Sequence, residues 1–188
     1  DVIGCGWDFE YHTTREEISY SQCRGCKLIF PQGIPSVSAL PVIYPPTYYS
    51  FKETDKPSKI VMAVRTWMAK QKGTFYKEMV PKDAAQVLDI GCGDGRLLDV
   101  LKHSCPKGWL YSGIDWSETA IERLKIKGYD GRSGNISQID LSDWDEKFDL
   151  VIMHQLIEHV SDPRETLEKV KNLLNVGGIL SIETPDHE

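Results

Sequence analysis

The feature that most constrains this chain is the stretch VLDIGCGDGRLLDVL, residues 87–101, where an apolar run ends in an acid and breaks into three glycines. Val87–Ile90 reads as a strand, Gly91, Gly93 and Gly95 as the loop that closes it, and Arg96–His103 as the helix that follows. Glycine reaches positive φ at no steric cost and carries no Cβ, so a ligand can lie directly on the backbone amides of such a loop. The alternation then continues. Trp109–Ile114 reads as a strand, Ser117–Lys127 as a helix capped by Ser117, and Tyr129–Ser133 as a short, weak strand. Phe148–Met153 is a strand, Pro163–Leu174 a helix with proline at its first position, and Ile179–Glu183 a strand entered through a Gly177-Gly178 turn. Strand and helix alternating at this spacing predict right-handed crossovers and an α/β, doubly wound, mostly parallel sheet with helices on both faces.

In such a sheet ligands bind beyond the carboxyl ends of the strands, at the switch point, and the glycine loop falls at that end of its strand. The next strand ends in Asp115, 24 residues after Gly91, a position suited to accepting both hydroxyls of a ribose. A phosphate-gripping ATPase loop needs G-x-x-x-x-G-K-[ST], and no lysine follows Gly95. A nicotinamide fold prefers G-x-G-x-x-G, whereas the spacing here is Gly91-x-Gly93-x-Gly95, and Asp89 would face a pyrophosphate badly. An adenosyl ligand with a cation and an amino-acid head fits better. Asp89 tolerates its positive charge, the loop amides meet its carboxylate, and Trp116 either lies flat on the adenine or plugs the start of the helix. Cys92 has no basic neighbour to lower its pKa and reads as a small loop filler.

The segments LDIGCGDG, GIDWS, FDLVIMHQLIEHVSDP and LLNVGGILSIETP together resemble the class I S-adenosylmethionine-dependent methyltransferases over roughly residues 84–186. The likeness is to the small-molecule branch that includes the ubiquinone-type O-methyltransferases and sugar-modifying relatives. Carried over by position, it implies a Rossmann-like sheet in which Asp89, Gly91, Cys92, Gly93 and Gly95 surround the methionine part of the cofactor. Asp115 would hold the ribose and Trp116 the adenine. The acid that often contacts the adenine amino group falls at Asn135, beside Ile136, and asparagine still offers a carbonyl acceptor. His154 and Gln155 would border the sulfonium and the acceptor. His159 is the candidate base for a hydroxyl acceptor, with His154 behind it; the competing role for His159 is to brace a loop. Ubiquinone-type relatives carry a metal-assisting acid where this chain has Gln155, which weakens metal assistance here. The resemblance also implies further strands beyond residue 188, without which the fifth strand is an exposed edge open to self-association.

The amino-terminal residues 1–50 have another texture, rich in Cys, Tyr, Pro and Gly, and read as a loop-rich module or arm. Residues 51–83 read as a helical connector, with Ile60, Val61, Val64, Trp67 and Met68 at helical spacing behind Ser58 as N-cap. Residues 84–188 form the core. CRGC, Cys23–Cys26, has the spacing of a zinc-ligand pair, and Cys5-Gly6 is similar to the second half of another. Relatives in this part of the superfamily carry two such pairs and then an aromatic stretch like Tyr44-Pro45-Pro46-Thr47-Tyr48-Tyr49. Here the expected partner of Cys5 is Val2. Zinc on Cys5, Cys23 and Cys26 would take its fourth ligand from His12 or from upstream, and three scattered thiols are the alternative. Tyr48 and Tyr49 either help cover the cofactor or pack the arm.

With 22 basic and 28 acidic residues in 188, the chain carries a net charge of −6, which argues against a broad nucleic-acid surface. Residues 51–82 are a local exception, with eight basic residues against Glu53, Asp55 and Glu78, the pattern of a solvated helix face. No apolar run reaches the roughly 20 residues of a membrane span. The opening DVIGCGWDFE lacks the basic start and apolar core of a signal peptide. Five unevenly spaced cysteines do not make a secreted disulfide scaffold, so the expected setting is the cytoplasm. Two functions remain: a methyltransferase with a small-molecule substrate, or a relative that binds the cofactor or a partner without turnover.

Overall fold

The computed structural model describes residues 1–8, 12–33, 39–43 and 59–186, and the chain divides into two units, Asp1–Thr54 and Asp55–Glu188. In the first, β1 (Val2–Gly6), β2 (Ile18–Gln22) and β3 (Ile29–Pro31) form an antiparallel sheet in that order, and α1 (Leu40–Ile43) is a single turn. These strands escape sequence reading because they are three to five residues long and Gly4 and Gly6 interrupt the alternation of β1. The turn from β2 to β3 runs through Cys23–Cys26, where the Cys23 N–H donates to Leu28 O at 2.9 Å and the Lys27 N–H to Cys23 O at 3.0 Å. Tyr44–Tyr49 and Ser58, to which the sequence reading assigns a cover and a helix cap, lie outside the described residues.

The second unit contains α2 (Lys59–Met79), β4 (Gln86–Ile90), α3 (Arg96–Ser104), β5 (Leu110–Asp115), α4 (Glu118–Ile126) and β6 (Asp130–Ser133), then β7 (Phe148–His154), α5 (Pro163–Leu173) and β8 (Leu174–Glu183). The strands form one sheet in the order β6-β5-β4-β7-β8, every pair parallel. The order therefore reverses between β4 and β7, and that boundary is the switch point. Helix starts follow local chemistry. The Ser117 Oγ accepts the Ala120 N–H at 3.3 Å, and the Asp162 carboxylate accepts the Glu165 N–H at 2.9 Å ahead of Pro163.

Side chains alternate between two apolar layers. On β7, Leu150 and Ile152 face the layer built with α2, α3 and α4, while Val151 and Met153 face the one built with α5 and the turn around Trp144; all four strand residues are fully buried. Each contributes about 1.5–3 kcal/mol by leaving water. The fifth strand differs from the sequence expectation. β8 begins directly after α5, and the glycine pair lies inside it: Phe148 pairs with Leu174, but the next pair is Leu150 with Ile179. A Cβ on Gly178 would sit 2.8 Å from Phe148 O, so the glycines permit a bulge there.

α2 also differs. Val64, Trp67 and Met68 of the readable apolar stripe are exposed, and the side chains of Ile60 and Val61 lie outside the described ones. The helix instead seats itself through Tyr76 and Gly73, where a Cβ would lie 2.2 Å from the Ser104 Cβ of α3. A contact made by the absence of a side chain leaves no hydrophobic period. No helix among the described residues is long and apolar enough to cross a membrane.

Candidate functional site

Three adjacent strands, β5, β4 and β7, bring the candidate residues to one end of the sheet. Asp89, one residue from the end of β4, is 3% exposed and receives no hydrogen bond from a described residue. Burial, and then the nearby Asp115, push its carboxyl up to about 8, while Lys72 pulls the other way. Asp115 closes β5. Its carboxylate accepts the Gly93 N–H at 2.8 Å and the Ser117 N–H at 2.9 Å. Burial raises its pKa against those two donors. A carboxylate accepts about four hydrogen bonds, so Asp115 keeps capacity for two more.

The three glycines serve different ends. All have positive φ. Gly95 is required by packing, since a Cβ there would lie 2.4 Å from the Leu124 Cδ1. Gly93 faces open space, with nothing within 4 Å of where its Cβ would be. Gly93 is therefore the point at which a ligand can approach the backbone. The loop is held by the Gly91 and Cys92 N–H groups, which both donate to Ile114 O at 2.8 and 3.1 Å. Cys92 is buried, its thiol pushed up by burial and then by Asp89 and Asp115, and it packs where a Cβ on Gly113 would come within 2.6 Å of its sulfur. It fills space.

Trp116, 41% exposed, stands directly beside Asp115. Asn135 is already engaged, its side-chain carbonyl accepting the Ser137 N–H at 2.9 Å, and Ile136 is turned into the core. As an acceptor Asn135 keeps only the second lone pair of that oxygen, while its side-chain amide can still donate.

At the end of β7 the two histidines have unlike surroundings. His154 is half-buried, with the Tyr76 hydroxyl 2.7 Å from Nε2 and the Lys72 ammonium 3.3 Å from Nδ1. Burial, then Lys72, depress its pKa, with Glu183 opposing. His159 ends a short 3₁₀ turn, Ile157–His159, more exposed, with Glu158 Oε1 4.0 Å from Nε2. Gln155 adopts φ 50° and donates its N–H to Glu183 O at 2.8 Å, locking β7 to β8 at the rim. Sequence reasoning does not single out Lys72, Tyr76, Ser181 or Glu183. They stand 27 to 82 positions from His154 along the chain, and no short motif joins them to it.

Cys5, Cys23 and Cys26 do not make a metal centre in the described residues, where no group of three or more His, Cys, Asp or Glu side chains could hold an ion. Cys5 lies on β1 opposite Ser19, interacting with Glu17, whereas Cys23 and Cys26 sit in the turn beyond β2. His12, with φ 53°, completes no such group.

Residues 88–180 match the family described as methyltransferase domain. The chain is 30% identical over 125 residues to a ubiquinone biosynthesis O-methyltransferase of Mesorhizobium japonicum, covering 64% of this chain and 49% of that one. It is 30% identical over 116 residues to the enzyme of that name from Coxiella burnetii, covering 58% and 47%. The chain thus spans about half the length of the curated relatives it matches. Among solved structures, the plantazolicin methyltransferase BpumL, in complex with a pentazolic desmethylPZN analog and SAH, superposes with a TM-score of 0.53 at 23% identity, covering 63% of this chain and 46% of that one. The [4+2]-cyclase SpnF superposes at 0.51 and 20% identity, covering 60% and 43%. Such structural likeness shows the fold alone, which serves a cyclase as well as methyltransferases. The sheet order, the glycine loop with its two flanking acids, the family match and the sequence relatives identify residues 88–180 as a methyltransferase domain of the class I, S-adenosylmethionine-dependent family, preceded in the chain by an antiparallel unit.

Proposed function

We propose that the protein binds S-adenosylmethionine at the carboxyl ends of β4 and β5 and transfers its methyl group to a small molecule, an oxygen acceptor being favoured over nitrogen or carbon. One observation carries this reading: Asp89 is a buried acid that receives no hydrogen bond among the described residues, beside a loop whose Gly93 faces open space. An unpaired buried acid is costly, and a ligand bearing a cationic group next to the loop would relieve it. The cofactor, when bound, supplies an electrophilic methyl group on sulfur. Asp89 would face its charged end, Gly91, Cys92, Gly93 and Gly95 its methionine part, Asp115 its ribose, and Trp116, Asn135 and Ile136 its adenine.

The oxygen preference follows the names of the curated relatives, which are O-methyltransferases. A hydroxyl must lose a proton before it attacks well, and a positioned base contributes roughly 10²–10⁴-fold. His159 is the more exposed imidazole at this end of the sheet and takes that role. Glutamine at 155 leaves Glu158 and His159 without a neighbouring acid at that position for a metal.

Calorimetry separates the ligands. Binding of S-adenosylmethionine or its demethylated product in the micromolar range is expected; tight binding of a nicotinamide dinucleotide and none of adenosylmethionine overturns the reading. Binding without transfer of labelled methyl to any of a panel of catechols, phenols and amines favours a cofactor-binding module.

For the amino-terminal unit, of the three cysteines expected to hold zinc we propose Cys23 and Cys26 as ligands, the others coming from outside the described residues. The Cys26 and Gly25 backbone N–H groups hydrogen-bond the Cys23 sulfur and lower its pKa, which favours the thiolate a metal needs. Elemental analysis that finds no zinc in protein purified without chelator removes that reading. The five cysteines are free thiols, which supports a cytoplasmic setting.

A further inference from the structure

The half-buried imidazole at the end of β7 is surrounded by side chains that the methyltransferase-domain match does not include. Lys72 and Tyr76 lie one turn apart on α2, before residue 88, while Ser181 and Glu183 lie on β8, beyond residue 180. The Lys72 ammonium is 3.3 Å from His154 Nδ1 and 3.4 Å from Glu183 Oε2. The Tyr76 hydroxyl is 2.7 Å from His154 Nε2 and 3.4 Å from the Ser181 Oγ, and its ring is 1% exposed. Glu183 Oε2 is 3.7 Å from His154 Nε2. Asp89, from β4, adds its charge to the field on Lys72 and Tyr76.

Donor rules fix the direction of this network. An ammonium only donates, so Nδ1 must present its lone pair to Lys72. In a neutral imidazole the proton is then on Nε2, which donates to the Tyr76 oxygen, leaving the phenol hydrogen for Ser181. Both ring nitrogens are therefore in use. We propose that His154 is not the proton acceptor of the site but a fixed post, and that Lys72 and Tyr76 are positioning residues that hold it neutral with its proton on Nε2. The ammonium, bound by Nδ1 and Glu183, keeps its third N–H for the oxygen of the acceptor. This assignment to the acceptor end rests on the methyl-transfer reading; the protonation state of the ring does not. The charges support it: burial and Lys72 disfavour the imidazolium, and burial first of all raises the Tyr76 phenol to about 12, so it stays protonated.

The test is nitrogen-15 NMR of the histidine side chains in the full chain, titrated in the wild type and in Lys72→Met, Lys72→Arg and Tyr76→Phe. His154 should show the Nε2–H tautomer, titrating below ordinary histidine. Lys72→Met should move its pKa upward, since a repelling cation is gone, and Lys72→Arg should restore it. Lys72→Met should also release the tautomer into a mixture, whereas Tyr76→Phe, which keeps the buried ring and the Lys72 donor, should preserve the Nε2–H form and shift its Nε2 resonance as the accepting oxygen is lost. His159 should not respond to any of the three. A wild-type Nδ1–H tautomer, or a His154 titration indifferent to Lys72→Met, overturns the proposal. Adenosylmethionine calorimetry on the wild type is read separately: a locked tautomer in a chain that binds no adenosylmethionine overturns the role in methyl transfer while leaving the ring's state established.

Discussion

The two ends of the candidate site are built by different means. At the β4–β5 end, the contacts are backbone to side chain and span short distances in sequence: the Gly93 N–H reaches Asp115 across 22 positions, and the Ser117 N–H across two. At the β7–β8 end, side chains meet side chains across 78 to 111 positions, from α2 to His154 and Glu183. If the protein binds the proposed cofactor, the first arrangement would grip it with loop backbone and the Asp115 carboxylate. The second depends on which side chains the fold delivers to one place, and would be where the acceptor is chosen.

The contrast can be broken most sharply by His159→Ala. If this imidazole removes the acceptor's proton, turnover should fall by roughly 10²–10⁴-fold with cofactor affinity nearly unchanged, as steady-state rates and calorimetry would show. Retained turnover would take His159 out of the chemistry and shift the acceptor from oxygen toward nitrogen or carbon.

Asp115→Ala should do the reverse, weakening adenosylmethionine by about 1.5–3 kcal/mol through lost hydrogen bonds to a charged group. It should also free the Gly93 N–H that the carboxylate holds. Undiminished affinity would mean that the β4–β5 end is not the grip.

Asp89→Asn sharpens the comparison because binding and stability should move in opposite directions. The folded-state pKa of Asp89 is raised, to about 8. A group of this kind contributes fully below its unfolded value, and that contribution is lost as pH rises through the folded one. The ligand-free wild type should therefore lose stability between about pH 4 and 8, and Asp89→Asn should flatten that slope. At neutral pH the variant should be more stable by about 1–3 kcal/mol and bind adenosylmethionine less well. Denaturant titration at several pH values, with calorimetry beside it, checks both.

The smallest effect concerns the seat of α2. Gly73→Ala gains about 0.8–1 kcal/mol of helix propensity but places a Cβ against Ser104, where overpacking costs about 1–3 kcal/mol. The net loss should be near 1 kcal/mol, read as a lower Tm. Tyr76 and Lys72 share this helix, so the variant should also disturb the His154 resonances while sparing the β4–β5 end. A variant more stable than the wild type would show that α2 shifts without strain.

The sequence alone determined the parallel sheet and the β4–β5 end, because both are written in neighbouring residues. Short apolar runs, Ser117 and Asp162 at helix starts, and Asp89, Gly91, Gly93, Gly95 and Asp115 around one loop are all local statements. It could not distinguish the reasons for the three glycines, since only packing against Leu124 separates Gly95 from the open Gly93. Nor could it read the short strands of the amino-terminal unit, the bulge at Gly177-Gly178, or the seating of α2 by a missing side chain rather than by its apolar stripe. The network around His154 was decided entirely by tertiary structure. Its members come from three elements far apart in the chain, and a hydrogen bond between such residues exists only once the sheet order has placed β8 beside β7 and α2 against the end of both.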